Sequence, residues 1–131
     1  MSEDLPETIA RAFAALNRRD LSGLLAVSHP DIEWRPLRAG VGPYVGHEGI
    51  RRALDDVHAE FDELHNEPRR WTDLGDRILV AGRLVAKERA TGLRIDNPGA
   101  WIVEMRDGLV VRVDAFASED AALAAASRSR G

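Results

Sequence analysis

Two segments of the sequence place an arginine and an aspartate two residues apart, at Arg94 and Asp96 and again at Arg112 and Asp114. In an extended strand each pair shares one face, and an arginine beside a carboxylate is one way to polarise an acid. The same spacing is also typical of an ion pair that faces solvent and contributes little to stability. Asp96 and Asp114 are therefore candidate proton carriers, with both interpretations open.

The four histidines, at positions 29, 47, 58 and 65, show no metal-binding spacing. First-row metals need convergent nitrogen and oxygen ligands, and no two of these histidines share a face with a partner acid. We predict no metal site and keep His65 as a further candidate proton carrier. The chain has no cysteine, no phosphate-binding glycine loop and no dinucleotide fingerprint, so we predict no cofactor.

Charge and composition narrow the classes of partner. The 131 residues fit one domain, and 44% hydrophobic with 31% charged residues is typical of a globular protein. The net charge is −4 and the basic residues alternate with acids, which argues against a nucleic-acid partner. No apolar run approaches the ~18 residues that span a membrane, and a signal-peptide pattern is missing, so we expect a cytoplasmic protein. Of the 18 basic residues only Lys87 is a lysine, a bias that hints at a bacterial source.

The periodicity of the first half of the chain predicts three helices and one strand. A helix over residues 5–18 has one apolar stripe, and a short second helix follows with Asp20 as its N-cap. A strand over residues 31–36 turns Ile32 and Trp34 to one face. A glycine-rich loop then leads to a helix over residues 47–61.

The second half of the chain changes to the period of β-strands. Strands are predicted over residues 64–72, 77–88, 93–106 and 109–116, with Asp107-Gly108 as a hairpin turn between the last two. Ser118 then begins a last helix, and residues 127–131 are predicted to form a frayed tail. Because helices and strands occur in separate blocks, we predict the α+β class, in a single domain over residues 1–131.

Several phrases of the sequence resemble a known family. Residues 13–25 (FAALNRRDLSGLL) are similar to its first two helices, residues 29–34 (HPDIEW) to the entry of its first strand, and residues 44–50 (YVGHEGI) to the start of its third helix. Residues 105–112 (MRDGLVVR) are similar to its closing hairpin. The chain thus resembles the nuclear-transport-factor-2-like superfamily, and within it the SnoaL-like domains. The resemblance implies a cone-shaped, curved antiparallel sheet closed by N-terminal helices around a pocket.

The known reactions of this superfamily use acids and proton donors at positions where this chain has other residues. Ungapped matching places Ala12, Pro36 and Ala100 at the three ketosteroid-isomerase positions. It places Ala115 at the acidic position of the cyclases and epoxide hydrolases. The resemblance therefore implies neither ketosteroid-isomerase nor limonene-type epoxide-hydrolase activity. A slip of one residue would put Asp114 in that acidic position, which keeps Asp114 a candidate.

The same matching implies a pocket with small or aliphatic walls. Five inner positions have such residues: Ala12, Ala100, Ile102, Val113 and Ala115. Glu104 is a further inner position and the one that could carry a proton. Trp34 would lie at the mouth, where an indole can stack on a flat ligand or simply fill the core. We therefore predict a pocket that binds a small, largely apolar molecule beside Trp34.

Two other functions stay open from the sequence. One is an enzyme of the cyclase, isomerase or hydratase type with unusual acid or base residues, drawn from Glu104, Asp96, His65 and Asp114. The other is a protein-interaction module. An open apolar pocket favours binding, converging ionisable groups favour catalysis, and a filled cone favours the interaction module.

We also predict a homodimer that forms through the outer face of the sheet. The strands are apolar on both faces, whereas helices are expected to cover only one face of a single sheet. On the strand over residues 93–106 we assign Trp101, Val103 and Met105 to the outer face, and Ala100 and Ile102 to the inner one. Pairing of two outer faces would bury this apolar surface.

Overall fold

The computed structural model describes residues 5–37 and 41–130 of the chain. Its helices are α1 (Glu7–Arg18), α2 (Leu21–Ala26), α3 (Gly46–Glu60) and α4 (Glu119–Arg130). Its strands are β1 (Ser28–Arg35), β2 (Tyr44–Val45), β3 (Phe61–Asp73), β4 (Ile78–Glu88), β5 (Arg94–Arg106) and β6 (Leu109–Phe116). The predicted order of elements is confirmed, and β2 is a short additional strand that the sequence did not indicate.

The six strands form one curved, unclosed sheet in the order β2-β1-β6-β5-β4-β3. Neighbouring strands are antiparallel except β1 and β6, which run parallel with Trp34 opposite Val113. The fold is therefore of the expected α+β class, but the sheet is mixed and not wholly antiparallel. A hairpin forces its two strands to be antiparallel, whereas β1 and β6 are far apart in the chain and no hairpin fixes their direction.

Helices α1, α2 and α3 cover one face of the sheet, here called the inner face. Trp71, Val80, Trp101 and Ala115 stand opposite one another on β3 to β6 and pack in the core on this face. The helices contribute buried apolar side chains to the same core: Ile9, Phe13, Leu24, Ile50 and Leu54. Each fully buried side chain of this size stabilises the fold by roughly 1.5–3 kcal/mol, so this core fixes the helices on the sheet.

Helix α4 packs on the opposite face of the sheet, here called the outer face. It covers a second apolar cluster made of Leu79, Ala100, Ile102, Ala122 and Ala126. Arg70 of β3 also donates a hydrogen bond to Glu119 in the first turn of α4. A C-terminal helix therefore covers part of the surface that the sequence analysis had assigned to a second copy of the chain.

The two faces of β5 are the reverse of the predicted ones. Trp101 and Val103 are buried in the inner core, and Met105 packs against it. Ala100 and Ile102 lie on the outer face beneath α4. The assignment of these five residues was therefore wrong, and the proposed dimer surface on this strand lies inside the fold.

A β-bulge beside the last hairpin explains the reversal. Next to the turn Met105 pairs with Val110, but the following pair is Glu104 with Arg112, so Val111 is an extra residue on β6. Without the bulge, the preceding side chains of β5 would all point to the other face relative to β6. The ungapped count across the turn therefore gave the right face for β6 and the wrong face for β5.

Side chains define two of the helix starts as predicted. Asp20 caps α2, because its Oδ1 accepts a hydrogen bond of 3.0 Å from the backbone N–H of Gly23. Ser118 caps α4 by accepting a hydrogen bond of 3.1 Å from the N–H of Ala121. Helix α4 continues to Arg130, through most of the segment 127–131 that was predicted to be frayed. The last residue of that segment, like residues 38–40 of the glycine-rich loop, lies outside the described part of the chain.

Candidate functional site

A small apolar cavity lies inside the fold, between the N-terminal helices and the inner face of the sheet. Its volume is about 60 Å³, and its lining includes Ala12, Val113 and the two buried rings of Phe13 and Trp101. Ser28 also lines it, but its hydroxyl donates to a backbone carbonyl of α2 at 2.7 Å. Ligand pockets usually measure about 300–1,000 Å³, so this inner cavity is too small for a metabolite-sized molecule.

A larger open cleft of about 760 Å³ adjoins the inner cavity, and we call it the mouth cleft. It lies where the end of α1 and the C-terminal half of α3 face strands β1, β3 and β4. Leu16 and Trp34 line both spaces, so the indole of Trp34 marks the boundary between them. Most of the wall is apolar and includes Val57, Phe61, Leu64, Leu84 and Ala115. The mouth cleft is therefore of a size and character that suits a small organic ligand.

One hydrogen-bonded pair of side chains lies in the wall of the mouth cleft. The hydroxyl of Tyr44 donates to Oδ2 of Asp56 at 2.6 Å. Tyr44 is 8% exposed, and its ring lies 5.8 Å from that of Trp34, measured between centroids. A polar end and an aromatic wall thus stand side by side in an otherwise mostly apolar cleft.

The local sequence explains how β2 and α3 bring this pair together. Strand β2 ends at Val45, and α3 begins at the next residue, so Tyr44 lies directly beside the first turn of the helix. At Gly49, an added Cβ would lie 2.8 Å from the backbone carbon of Tyr44. A side chain at this position would push the two elements apart, so glycine allows their close approach.

The apolar residues predicted to bind a ligand fall into two groups. Ala12 and Val113 line the inner cavity, and Ala115 lines the mouth cleft. Ala100 and Ile102 are buried on the outer face under α4, where neither space can be reached. Their predicted place in the pocket was wrong because of the bulge in β6.

Two of the candidate proton carriers, Glu104 and Asp114, lie together on the outer face. Both line a polar groove there with Arg112, whose Nε donates to Asp114 at 2.9 Å. This hydrogen bond raises the pKa of Arg112 above its usual value. Arg35 also approaches Asp114, at 3.6 Å. The arrangement is an ion-pair network on the sheet surface, on the side opposite the mouth cleft.

The other two candidates, Asp96 and His65, are exposed. Asp96 accepts a hydrogen bond of 2.7 Å from Arg83 on the neighbouring strand. Nε2 of His65 lies 4.0 Å from Glu67 on the same strand. Neither residue lines the inner cavity or the mouth cleft as the structure describes them. The structure therefore does not bring the four predicted acids and bases to one site.

No pattern in the sequence identifies Tyr44 and Asp56 as functional residues. Asp56 follows Arg52 by four residues, a spacing typical of an ion pair on a helix surface. Tyr44 was noted only as part of the phrase that begins the third helix. Their twelve-residue separation across a strand and a helix gives no periodic signal, and only the packing of α3 against β1 and β2 brings them together.

Metal-binding clusters and membrane-spanning helices are both absent from the described part of the chain. Within residues 5–37 and 41–130, no three histidine, aspartate or glutamate side chains are grouped so that they could hold a metal ion. In the same ranges, no helix is both long and apolar enough to cross a membrane.

A curved six-stranded sheet with helices packed on its inner face around an apolar space defines the nuclear-transport-factor-2-like class of proteins. The sequence pattern of the SnoaL-like domain matches residues 9–113, and the chain belongs to that family. No functionally curated protein matches the sequence.

Solved structures share this fold. TerC, co-crystallized with polyporic acid, is 28% identical, with a TM-score of 0.75 over 90% of this chain and 94% of that one. An NTF2-like protein from Burkholderia xenovorans is 27% identical, with a TM-score of 0.72 over 84% and 86% of the two chains. A candidate polyketide cyclase from Sinorhizobium meliloti is 24% identical, with a TM-score of 0.68 over 86% and 96%, a likeness of fold alone.

Proposed function

We propose that this SnoaL-like protein binds a small, largely apolar molecule in the mouth cleft, with one face of the ligand against Trp34. The observation that carries the proposal is the mostly apolar cleft of about 760 Å³ with this indole at its inner end. Because the inner cavity measures about 60 Å³, we expect the ligand in the cleft and not deeper in the cone.

The hydrophobic effect supplies the driving force for such binding. Each square ångström of apolar surface removed from water contributes roughly 25 cal/mol, and an indole offers a large flat surface on which an aromatic ring can stack. A ligand on Trp34 would cover the walls formed by Val57, Phe61 and Leu64 at the same time. Flat molecules of one to three rings match this arrangement best.

One relative gives the proposal independent support. TerC, which matches 90% of this chain at 28% identity, was co-crystallized with polyporic acid. Polyporic acid is therefore a reasoned first probe for this chain, together with a panel of aromatic and terpenoid metabolites.

Tryptophan fluorescence and thermal unfolding test the proposal together. A ligand in the mouth cleft should quench the indole of Trp34 and raise the melting temperature, with stabilisation of about 2.7 kcal/mol at a concentration 100 times Kd. Trp34→Phe should remove most of the quenching. Trp71→Phe is the matched control, because Trp71 packs in the core but is not among the residues lining the cleft.

The proposal would be overturned by a wild-type protein whose melting temperature and fluorescence respond to no member of the panel. It would also be overturned if Trp34→Phe and Trp71→Phe lost the same part of the signal, because the ligand would then not lie beside Trp34.

A second candidate function is an enzyme of the cyclase, isomerase or hydratase type with unusual acid or base residues. The observation in its favour is that the carboxylates of Asp56 and Glu60 both line the mouth cleft. Incubation of the protein with each bound panel member, followed by mass spectrometry, separates the two functions. A product that disappears in Asp56→Asn supports catalysis, whereas unchanged ligand supports binding alone.

We expect neither ketosteroid-isomerase nor limonene-type epoxide-hydrolase activity. The sequence matches Ala12, Pro36, Ala100 and Ala115 to the required acids and donors. Ala100 lies on the outer face instead, but the inner side chains of this part of β5, Trp101 and Val103, are not acids either. Loss of one such group costs about 10²–10⁴ in rate, so turnover should be negligible. A rate of about 1 s⁻¹ on either substrate class would contradict this expectation.

We further propose that the protein is a homodimer in the bacterial cytoplasm, paired through its outer sheet face. The uncovered part of this face carries alternating charges, among them Glu104, Arg112 and Asp114, which can pair across a two-fold axis. Light scattering at micromolar concentration should give twice the chain mass of 14.4 kDa. A mass near 14.4 kDa would refute the dimer.

A further inference from the structure

The polar end of the mouth cleft has a definite hydrogen-bonding character. A tyrosine hydroxyl has one proton, and in Tyr44 this proton is donated to Oδ2 of Asp56. An ionised aspartate only accepts hydrogen bonds, and its two oxygens together can accept several. As arranged here, the pair therefore presents acceptor capacity, and not a free donor, to a molecule in the cleft.

Nothing positively charged competes for Asp56 in the part of the chain that the structure describes. Within residues 5–37 and 41–128, no arginine, lysine or histidine is paired with Asp56, and none is among the residues lining the cleft. Its neighbour on the helix, Asp55, lies 3.5 Å from Arg51 instead. Of the two adjacent aspartates, Asp56 is therefore the one whose carboxylate is available to a ligand.

We propose that Asp56 is the polar anchor of the mouth cleft and selects ligands that carry a hydrogen-bond donor at the edge of a flat apolar body. The donor is a hydroxyl or a protonated amine, and the apolar body lies on Trp34. This inference rests on the proposed binding function and adds the chemical class of the ligand to it. A cationic donor is favoured over a neutral one, because it also gains a Coulomb attraction to the carboxylate.

Tyr44 is the positioning residue for this anchor. Its ring stands beside Trp34 at 5.8 Å, and its hydroxyl holds one carboxylate oxygen of Asp56 at 2.6 Å. This hydrogen bond uses one carboxylate oxygen, so the second oxygen is the one that we assign to a donor on the ligand. Loss of the Tyr44 hydroxyl should therefore weaken donor recognition without changing the apolar wall.

Four naphthalene probes that differ only at one edge test the proposal. They are naphthalene, 2-methoxynaphthalene, 2-naphthol and 2-(aminomethyl)naphthalene, measured by calorimetry at neutral pH. A hydrogen bond to a charged group is worth about 10- to 100-fold in affinity. We expect 2-naphthol and the ammonium probe to bind at least tenfold more tightly than naphthalene, and 2-methoxynaphthalene to match naphthalene because it has no donor.

Three variants assign the discrimination to Asp56. Asp56→Asn keeps the shape of the side chain but loses its charge, and it should abolish the preference for the ammonium probe over naphthalene. Tyr44→Phe should reduce the preference for both donor-bearing probes. Asp55→Asn is the matched control on the same helix and should retain the full preference. Circular dichroism melts of all variants establish that each one is folded.

The outcomes distinguish a failure of the Asp56 anchor from a failure of the proposed binding function. If naphthalene binds the wild type but the four probes are not discriminated, the anchor is refuted and the apolar binding site stands. If Asp56→Asn and Asp55→Asn behave alike, the anchor is again refuted. If no probe binds the folded wild type, both the anchor and the proposed function are wrong.

Discussion

The ring of Trp101 meets the ring of Phe13 edge to face, with centroids 5.1 Å apart and planes at 76°. This contact joins β5 to α1 across the inner core, where both side chains are less than a tenth exposed. Edge-to-face pairs of this kind contribute about 0.5–1.5 kcal/mol beyond the burial of their area. The pair also occupies the centre of the cone, which is why the inner cavity is small and ligand binding is expected at the mouth.

Replacement of Trp101 should therefore unfold the protein more easily and not merely separate two subunits. We expect Trp101→Ala to lower the free energy of unfolding by about 3–5 kcal/mol, because a large ring leaves a cavity that the surroundings fill only in part. Urea denaturation measures this loss. Leu93→Ala is the control, since Leu93 is 59% exposed and its removal should change stability by less than about 0.5 kcal/mol.

Local signals made most of the fold predictable. Asp107 and Gly108 both have positive φ angles, of 56° and 76°, as expected for an Asp-Gly hairpin turn. The caps at Asp20 and Ser118 are likewise contacts between residues three apart. Such features depend on a few neighbouring residues, and the sequence contains all of them.

The faces of β5 could not be predicted because its central residues are buried on both sides. From Gly99 to Val103 every residue is buried, since α4 packs on one face and Phe13 of α1 packs against Trp101 on the other. An alternation of apolar and polar residues is then absent, and only the register across the hairpin can distinguish the faces. That register depends on the bulge at Val111, for which the sequence gives no clear sign.

Only one part of the candidate site, Trp34, could be predicted from the sequence. Trp34 shares its strand face with Ile32, a local pattern, and it does lie at the mouth of the cone. Asp56 sits on a helix surface among other charges, and its contact with Tyr44 depends on how α3 packs against β2. A contact of this kind depends on the tertiary structure. Neither the hydrophobic periodicity of the sequence nor the spacing of its residues predicts it.

Asn17 should be important for stability because it pairs with the backbone of a buried strand residue. Its Oδ1 accepts from the N–H of Asn66 at 2.8 Å, and its Nδ2 donates to the carbonyl of Asn66 at 2.9 Å. Asn17→Ala would leave both backbone groups unpaired and should cost about 1–3 kcal/mol in denaturant unfolding. Asn17→Asp keeps the acceptor for the N–H but places a carboxylate oxygen against the carbonyl of Asn66, so it should also be destabilising. Asn97→Ala, at an exposed position of β5, is the control and should be nearly neutral.

Gly82 is expected to tolerate no side chain. A Cβ at this position would lie 1.9 Å from the carbonyl oxygen of Glu67, where β3 carries a bulge. Gly82→Ala would force the two backbones apart, and we expect a loss of at least about 1–3 kcal/mol. Gly99→Ala is the paired control, because Gly99 faces Gly82 across the ladder and its nearest neighbour would be the ring of Trp101 at 3.4 Å, an ordinary van der Waals distance. Equal melting temperatures for the two variants would contradict the claim that the bulge in β3 leaves no room for a side chain at position 82.

The cap at Asp20 should make a small part of the stability depend on pH. Its carboxylate accepts from the N–H of Gly23 and then, more weakly, from Arg18, and these bonds lower the pKa of Asp20 below its usual value. A carboxyl with a lowered pKa in the folded state stabilises the fold above its unfolded value of about 3.9. That stabilisation is lost as the pH falls through the lower folded value. The side chain is partly exposed to solvent, so the effect should be modest and decrease with added salt.

Asp20→Asn isolates this effect, since asparagine caps a helix about as well but does not ionise. The melting temperature of the variant should lie below that of the wild type at pH 7, and the difference should shrink as the pH falls through the lowered pKa and the wild-type carboxyl becomes protonated. Ser22→Ala, an exposed change in the same helix, serves as the control and should give a difference that does not vary with pH. A gap between Asp20→Asn and wild type that stayed constant from pH 7 to pH 2 would show that the charge of Asp20 does not stabilise α2.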